Sequence, residues 1–437
     1  MDKTSAHRSS AQERLAAALQ RIDDSQGEGA RAVLTVYREA AQAAAEASDA
    51  RARTGTSLGP LDGAIVTIKD LFDVAGEVTR AGSKVIAGEG KLAERDAVIV
   101  RRLRAAGAVI VGKTNMSEFA FTGVGANPHY GTPGNPADRA RVPGGSSSGA
   151  GVAVADDMCE IAIGSDTGGS VRIPASLCGI VGFKPSKQRV PTDGAFPLSY
   201  SLDSIGPLAK SVAQCAAADA VLAGDDAWTL DPAALAGLRV GVAQGLPLEN
   251  LDDTVGRRFP EALDRLEKAG VRLTYEKLPM FDDMMALQMR TSILVAEAFS
   301  VHHERMARAS ADVDQIVAAR LIKGKDIAAF DYINAVRTRA ALIGAMDERL
   351  RDLDVLVMPS TATVAPRLDE LGEPKAFLQR NAMLLRNTTI GNFFDLTGVS
   401  IPLPRDGLLP TGLMLLARNG HDRRLLRIAA AVERLFS

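Results

Sequence analysis

Residues Arg141 to Pro174 read R-V-P-G-G-S-S-S-G-A-G-V-A-V-A-D-D-M-C-E-I-A-I-G-S-D-T-G-G-S-V-R-I-P. Two clusters of glycine and serine bracket a run of small apolar residues. Each cluster is too rich in glycine for the interior of a helix or strand, so these are places where backbone approaches something closely. Between them, Ser147 to Ala155 suits a helix packed tightly on a sheet, and Glu160 to Gly164 a short buried strand.

Working outward, Ala64 to Ile68 reads as a buried strand ending at Lys69-Asp70. Asp96 to Ala106 is an amphipathic helix closed by Gly107, and Ala108 to Val111 the next strand. Lys113 to Gly145 is loop. Ahead of these, Ala11 to Ile22 and Gly29 to Ala52 carry apolar residues at helical spacing. Downstream, strands are predicted at Gly179 to Phe183, Leu238 to Val242, Asp354 to Pro359 and Gly412 to Ala417. Helices are predicted at Ser211 to Leu222, Val255 to Ala269, Met284 to Arg308, Asp326 to Arg351 and Arg423 to Phe436. The alternation predicts an α/β fold: a central mixed, mostly parallel β-sheet covered by helices on both faces, with an all-helical insertion.

The 437 residues, 46% of them hydrophobic, are ample for a large core. A formal net charge of -2 leaves no excess positive field for nucleic acid or anionic lipid. Three cysteines, Cys159, Cys178 and Cys215, form no C-x-x-C pair, which argues against a disulfide framework or a cysteine zinc site. Neither an apolar run behind the N-terminal charges nor a stretch long enough to span a bilayer occurs, so a cytoplasmic protein is expected, with no nucleic-acid or membrane partner.

Two motif matches fail on context. Gly107 to Thr114 fits G-x-x-x-x-G-K-T, but its middle, Ala-Val-Ile-Val, is itself the strand and not a phosphate loop. Gly145-Ser146-Ser147-Ser148-Gly149 fits G-x-S-x-G, which would make Ser147 the nucleophile of an α/β-hydrolase-like esterase. That elbow needs a strand leading into it, where Ala137 to Gly144 is loop, and a late histidine. The five histidines of the chain supply little: His302 and His303 lie in a charged helix, where a solvated face is the simpler explanation, and His129 suits a loop hydrogen bond. No metal-ligand cluster is visible.

A serine can instead be activated by lysine. Lys69, at the end of a buried strand, is the best candidate, since burial favours the neutral amine. A salt bridge from Lys69 to Asp70 or Asp73 is the competing explanation. Ser170 follows Asp166-Thr167-Gly168-Gly169, where successive N–H groups can converge on an oxyanion. A tight turn with a capping serine is the plainer alternative there.

These residues together resemble the amidase signature hydrolases. The match rests on Ile68-Lys69-Asp70, on Gly144 to Gly149, and on Gly164-Ser-Asp-Thr-Gly-Gly-Ser-Val-Arg-Ile-Pro174. Ser146 and Ser170 also stand 24 positions apart (170 minus 146), as the two serines of that family do. The match is dense from about Pro60 to Leu222 and returns from Val355. The resemblance implies one domain over 1–437: a catalytic core at 60–222, a variable helix-rich region at about 225–350 that carries specificity, and a return to the core sheet at 355–437.

It further implies Ser170 as nucleophile, Ser146 as proton relay through a cis Gly145-Ser146 peptide, and Lys69 as the neutral base. Thr167, Gly168, Gly169 and Ser170 would supply oxyanion-hole amides. Ser165 would help hold the relay serine, and Asp166 and Arg172 would brace the loop as an ion pair. The loop Phe119 to Gly123, with Thr122, and Gly145 are expected at the substrate, while Ser147 and Ser148 would cap the following helix. No metal or organic cofactor is implied, and a homodimer is compatible with the family. The activity implied is hydrolysis of a small carboxamide by a stand-alone enzyme. The alternative within the fold is the glutamine-hydrolysing component of a tRNA-dependent amidotransferase.

Overall fold

The computed structural model describes residues 9–226 and 228–437. The charged N-terminal octapeptide, read above for a targeting run, lies outside the described residues. Among the described residues, runs rich in aliphatic and β-branched residues form eleven strands. They are β1 (Val33–Val36), β2 (Ile65–Lys69), β3 (Val109–Thr114), β4 (Ile161–Asp166), β5 (Val181–Lys184), β6 (Ser204–Ala209), β7 (Arg239–Gln244), β8 (Arg272–Lys277), β9 (Val355–Pro359), β10 (Thr397–Pro402) and β11 (Gly412–Ala417). All join one sheet in the order β1-β3-β2-β4-β6-β5-β10-β11-β9-β7-β8.

Alternate residues of the central strands face different cores. Val66 and Ile68 pack into one cluster with the helices Val98–Ala105 and Val212–Ala223, while Ile65 packs into another with Ser148–Ala155. Helices therefore cover both faces, as two-sided burial of the strands requires. Among the described residues no helix is long and apolar enough to cross a membrane.

The sheet is mixed, but not mostly parallel. The pairs β2–β3, β2–β4, β7–β8 and β7–β9 are parallel, whereas β1–β3, β4–β6, β5–β6, β5–β10, β10–β11 and β9–β11 are antiparallel. Short connections decide this, since antiparallel neighbours such as β10 and β11 need no crossover helix.

Three further features differ from the sequence reading. Gly29 to Ala52 is not one helix: Val33-Leu-Thr-Val36 pairs with β3 as an edge strand before the helix Arg38–Arg53 begins. β-branched residues prefer that extended edge. Met284 to Arg308 is two helices, Met280–Arg290 and Ile293–Ala309, and the second starts where the Ser292 side chain accepts a hydrogen bond from the Val295 amide. The insertion is not all-helical, because β7 and β8 extend the sheet within it. Strands β6, β8 and β10 and the helix Pro374–Phe393 have no counterpart in the sequence reading.

Candidate active site

β2 lies between β3 and β4 and runs parallel to both, so Lys69 and Asp166, the last residues of β2 and β4, emerge at the same edge of the sheet. The outer ends of parallel strands are where α/β folds place their chemistry. Lys69 is fully buried. Its Nζ donates to Ser146 Oγ at 2.7 Å and to Ser165 Oγ at 2.9 Å.

The competing salt bridge is not formed. Asp70 takes Arg80 at 3.0 Å and the Gly82 amide at 3.2 Å, and Asp73 accepts from Thr79 Oγ1 at 2.5 Å. Burial lowers the Lys69 ammonium from 10.5 to about 7, against the opposing pull of Asp166 and Asp203. Such a lysine is largely neutral at mildly alkaline pH.

Ser146 sits before the helix Ser148–Ala155, and the Gly145–Ser146 peptide is cis. Backbone crowding explains the glycine ahead of it: a Cβ on Gly145 would lie 2.7 Å from the Gly125 Cα and amide nitrogen. The Ser146 carbonyl accepts from the Ser117 amide at 3.0 Å, and the Gly145 amide donates to the Gly123 carbonyl at 2.8 Å.

Ser165 bonds Lys69, with no hydrogen bond to the Ser146 side chain, so it is linked to Ser146 only through the lysine. Ser147 stands at the N-cap position, but no side-chain cap forms. Its hydroxyl faces the Ser165 carbonyl at 3.4 Å, and the buried Ser148 hydroxyl has no partner among the described residues. Both serines are fully buried, unlike an exposed nucleophile elbow.

After β4 the chain turns through Thr167 to Ser170 and enters the short helix Arg172–Cys178. Gly169 has φ +135, and a Cβ there would meet Thr388 Oγ1 at 2.0 Å. Among the described residues the amides of Gly168, Gly169 and Ser170 donate to no protein acceptor, as an oxyanion cradle requires.

The turn is tied down from three sides. Thr388 Oγ1 donates to the Gly168 carbonyl at 2.7 Å, Thr167 Oγ1 donates to Asp203 at 2.6 Å, and Asp166 pairs with Arg172 at 2.9 Å. That ion pair is wholly buried. Asn392 completes it, accepting from Arg172 at 2.6 Å and donating to the Asp166 carboxylate at 2.9 Å. Burial acts to raise the Asp166 carboxyl, but Arg172, Lys184 and Asn392 outweigh it and hold the group at about 2.

Ser170 opens onto a cavity of about 310 Å³. Its walls are largely apolar, with Leu198, Met284, Ile293 and Phe393 prominent, and among the described residues it is lined by no aspartate or glutamate. Three arginines reach it. Arg339 is paired with Asp395 at 2.5 Å, whereas among the described residues Arg320 and Arg386 form no ion pair, and Glu249 bears on Arg386 only through its charge. Arg320 lies 4.3 Å over the Phe121 ring and donates to the Phe121 carbonyl, and burial lowers it from 12.5 to about 10.

Of the loop expected at the substrate, Thr122 lines the cavity together with Ala120 and Phe121. Phe119 turns away to stack on His302 at 3.9 Å, the Gly123 amide donates to Asn381, and neither Gly123 nor Gly145 lines the cavity. His302 itself is fully buried, not on a solvated face, and its pKa is lowered to about 3 by burial. His129 Nε2 lies 3.0 Å from Glu118.

Sequence reasoning missed the helix Pro374–Phe393, which supplies Asn381, Thr388, Thr389 and Asn392. The available signal was its buried polar stripe, Asn381, Thr388 and Asn392 at helical spacing.

The family model Amidase matches residues 13–426. The chain is 35% identical to 2-amino-5-chloromuconic acid deaminase of Comamonas testosteroni, over 90% of this chain and 86% of that protein. It is 34% identical to a glutamyl-tRNA(Gln) amidotransferase subunit of Koribacter versatilis (strain Ellin345), over 92% and 90%. A crystal structure of an amidase superimposes with a TM-score of 0.87 at 32% identity, covering 98% of this chain and 97% of the other.

Proposed function

The chain belongs to the amidase family and is an amide hydrolase, and from that premise we propose that it hydrolyses a small carboxamide bearing a carboxylate, through an acyl-enzyme on Ser170. The observation that carries the mechanism is the buried Lys69, without a direct carboxylate hydrogen-bond partner and hydrogen-bonded to Ser146. Neutral Lys69 accepts a proton by way of Ser146 as Ser170 Oγ attacks the amide carbonyl. The amides of Thr167 to Ser170 receive the developing oxyanion. The proton returns through Ser146 to the leaving nitrogen, which departs as ammonia or an amine. Water, deprotonated along the same path, then releases the carboxylic acid and restores the serine.

The carboxylate follows from the cavity's charge. Arg320 presents its guanidinium to a largely apolar cavity that no acidic residue lines among the described residues, and a desolvated cation without a bonded countercharge favours an anionic ligand; Arg386 adds a half-buried positive charge that Glu249 offsets in part. The relative from Comamonas testosteroni is named for a carboxylic acid, which supports the same class.

Glutamine, the substrate of the alternative reading, also carries a carboxylate. Its α-ammonium, however, would find no acidic lining residue here, which favours the stand-alone enzyme over the amidotransferase component. Ammonia release from paired amides with and without a carboxylate tests the reading, with Ser170→Ala as the blank. Preference for the carboxylated member, lost in the blank, is expected. Equal turnover of the neutral amides would remove the substrate class, and activity surviving in Ser170→Ala would remove the nucleophile.

A further inference from the structure

We propose that a second, smaller cavity behind the nucleophile turn is the water chamber through which Lys69 exchanges its proton with solvent, by way of the Ser165 hydroxyl. The inference rests on the reading of Lys69 as the base. The chamber measures about 60 Å³, whereas one water needs only ~10–15 Å³. It stands back to back with the acyl cavity, and the two share Ala120, Thr167 and Leu198 as a partition. Ser170 lines the acyl cavity alone, and Ser165 lines the chamber alone.

Lys69 and Ser146 are 0% exposed, whereas Ser165 is 7% exposed. Ser165 is thus the member of this hydrogen-bonded trio that meets solvent-accessible space. Its Oγ accepts from Lys69, and its own hydroxyl proton has no protein acceptor among the described residues. Thr192, Asp203 and Ser204 offer polar partners for water, and the exposed Tyr200 marks the outer wall. The charges bearing on Lys69 are Asp166, held by Arg172, and Asp203, which faces Lys187.

The transfer balances simply. The Lys69 ammonium gives a proton to Ser165 Oγ while the Ser165 hydroxyl gives its own proton to a chamber water. Lys69 is left neutral with its lone pair free, Ser165 is again a hydroxyl, and the hydronium passes to solvent. Because this route avoids the acyl cavity, the lysine can be deprotonated while substrate fills that cavity. Ser165 acts here as a positioning and relay residue, without touching substrate.

A double-mixing experiment tests this. Enzyme in excess is bound briefly to its best amide at pH 6, jumped to pH 8.5, and followed through a single turnover. Wild type should start without delay. Ala195→Leu, which pushes bulk into the chamber, and Ser165→Ala, which removes the hydroxyl, should each show a lag at least tenfold longer than the mixing dead time, and Ser165→Thr should show none. A lag-free Ala195→Leu with a wild-type rate would overturn the proposal, even if Ser165→Ala failed to fold. Retention of the alkaline rise in activity by Lys69→Met would instead sink the base assignment on which the proposal rests.

Discussion

Replacing Lys69 by methionine should abolish turnover yet make the protein more stable at neutral pH. Burial lowers the ammonium from 10.5 to about 7. The unfolded chain therefore binds more protons than the folded one between these values, and stability contributed at this site rises with pH across that window. At ~1.4 kcal/mol per pH unit, keeping the amine here opposes folding by about 4–5 kcal/mol at pH 7. Methionine removes that term but also the hydrogen bonds to Ser146 and Ser165, about 1 kcal/mol each.

The net expectation at pH 7 is a gain of roughly 2 kcal/mol, shrinking and then reversing as the pH approaches 10. Denaturant unfolding of both proteins at pH 7, 8.5 and 10 measures it. In wild type the same titration should raise kcat/KM about tenfold from pH 6 to pH 8, as the neutral fraction climbs from about one-tenth to about nine-tenths. A Lys69→Met protein destabilised by the same amount at every pH would refute the burial argument.

The remaining expectations concern the turn and the cavity. Gly169→Ala should lower kcat by roughly 100-fold, because its Cβ collides with Thr388 Oγ1 and misaims the oxyanion amides; steady-state kinetics with an unchanged KM would show this, and wild-type kcat would contradict it. Asp166→Asn should cost about 3–5 kcal/mol in urea unfolding, since Arg172 is left buried without its countercharge. Arg320→Met should raise KM for a carboxylated amide by roughly 10- to 100-fold, the worth of a charged hydrogen bond, while leaving a neutral analogue within about twofold. An equal effect on both substrates would mean that Arg320 supports the loop through Phe121 without recognising an anion.

Local chemistry is what the order of residues discloses. The glycine and serine clusters and the strand ending at Lys69 were legible because their chemistry depends on neighbours a few residues away, whereas the ion pair Asp166–Arg172 was implied by the family resemblance. A lysine closing an apolar strand is conspicuous, and glycines before a serine mark a backbone held open. What surrounds these groups is settled by folding. Asn392 reaches Asp166 across 226 positions and Thr388 reaches Gly168 across 220.

The acyl cavity is likewise assembled from segments far apart in the chain, and the burial of His302 depends on Phe119 and Phe196 folding over it. The direction of the middle strands also follows from connections whose lengths leave no periodic signature. Lys69 needed both levels: sequence put an amine at the end of a buried strand, but only packing withheld a directly bonded carboxylate, and an amine buried that way is the one that loses its proton near pH 7.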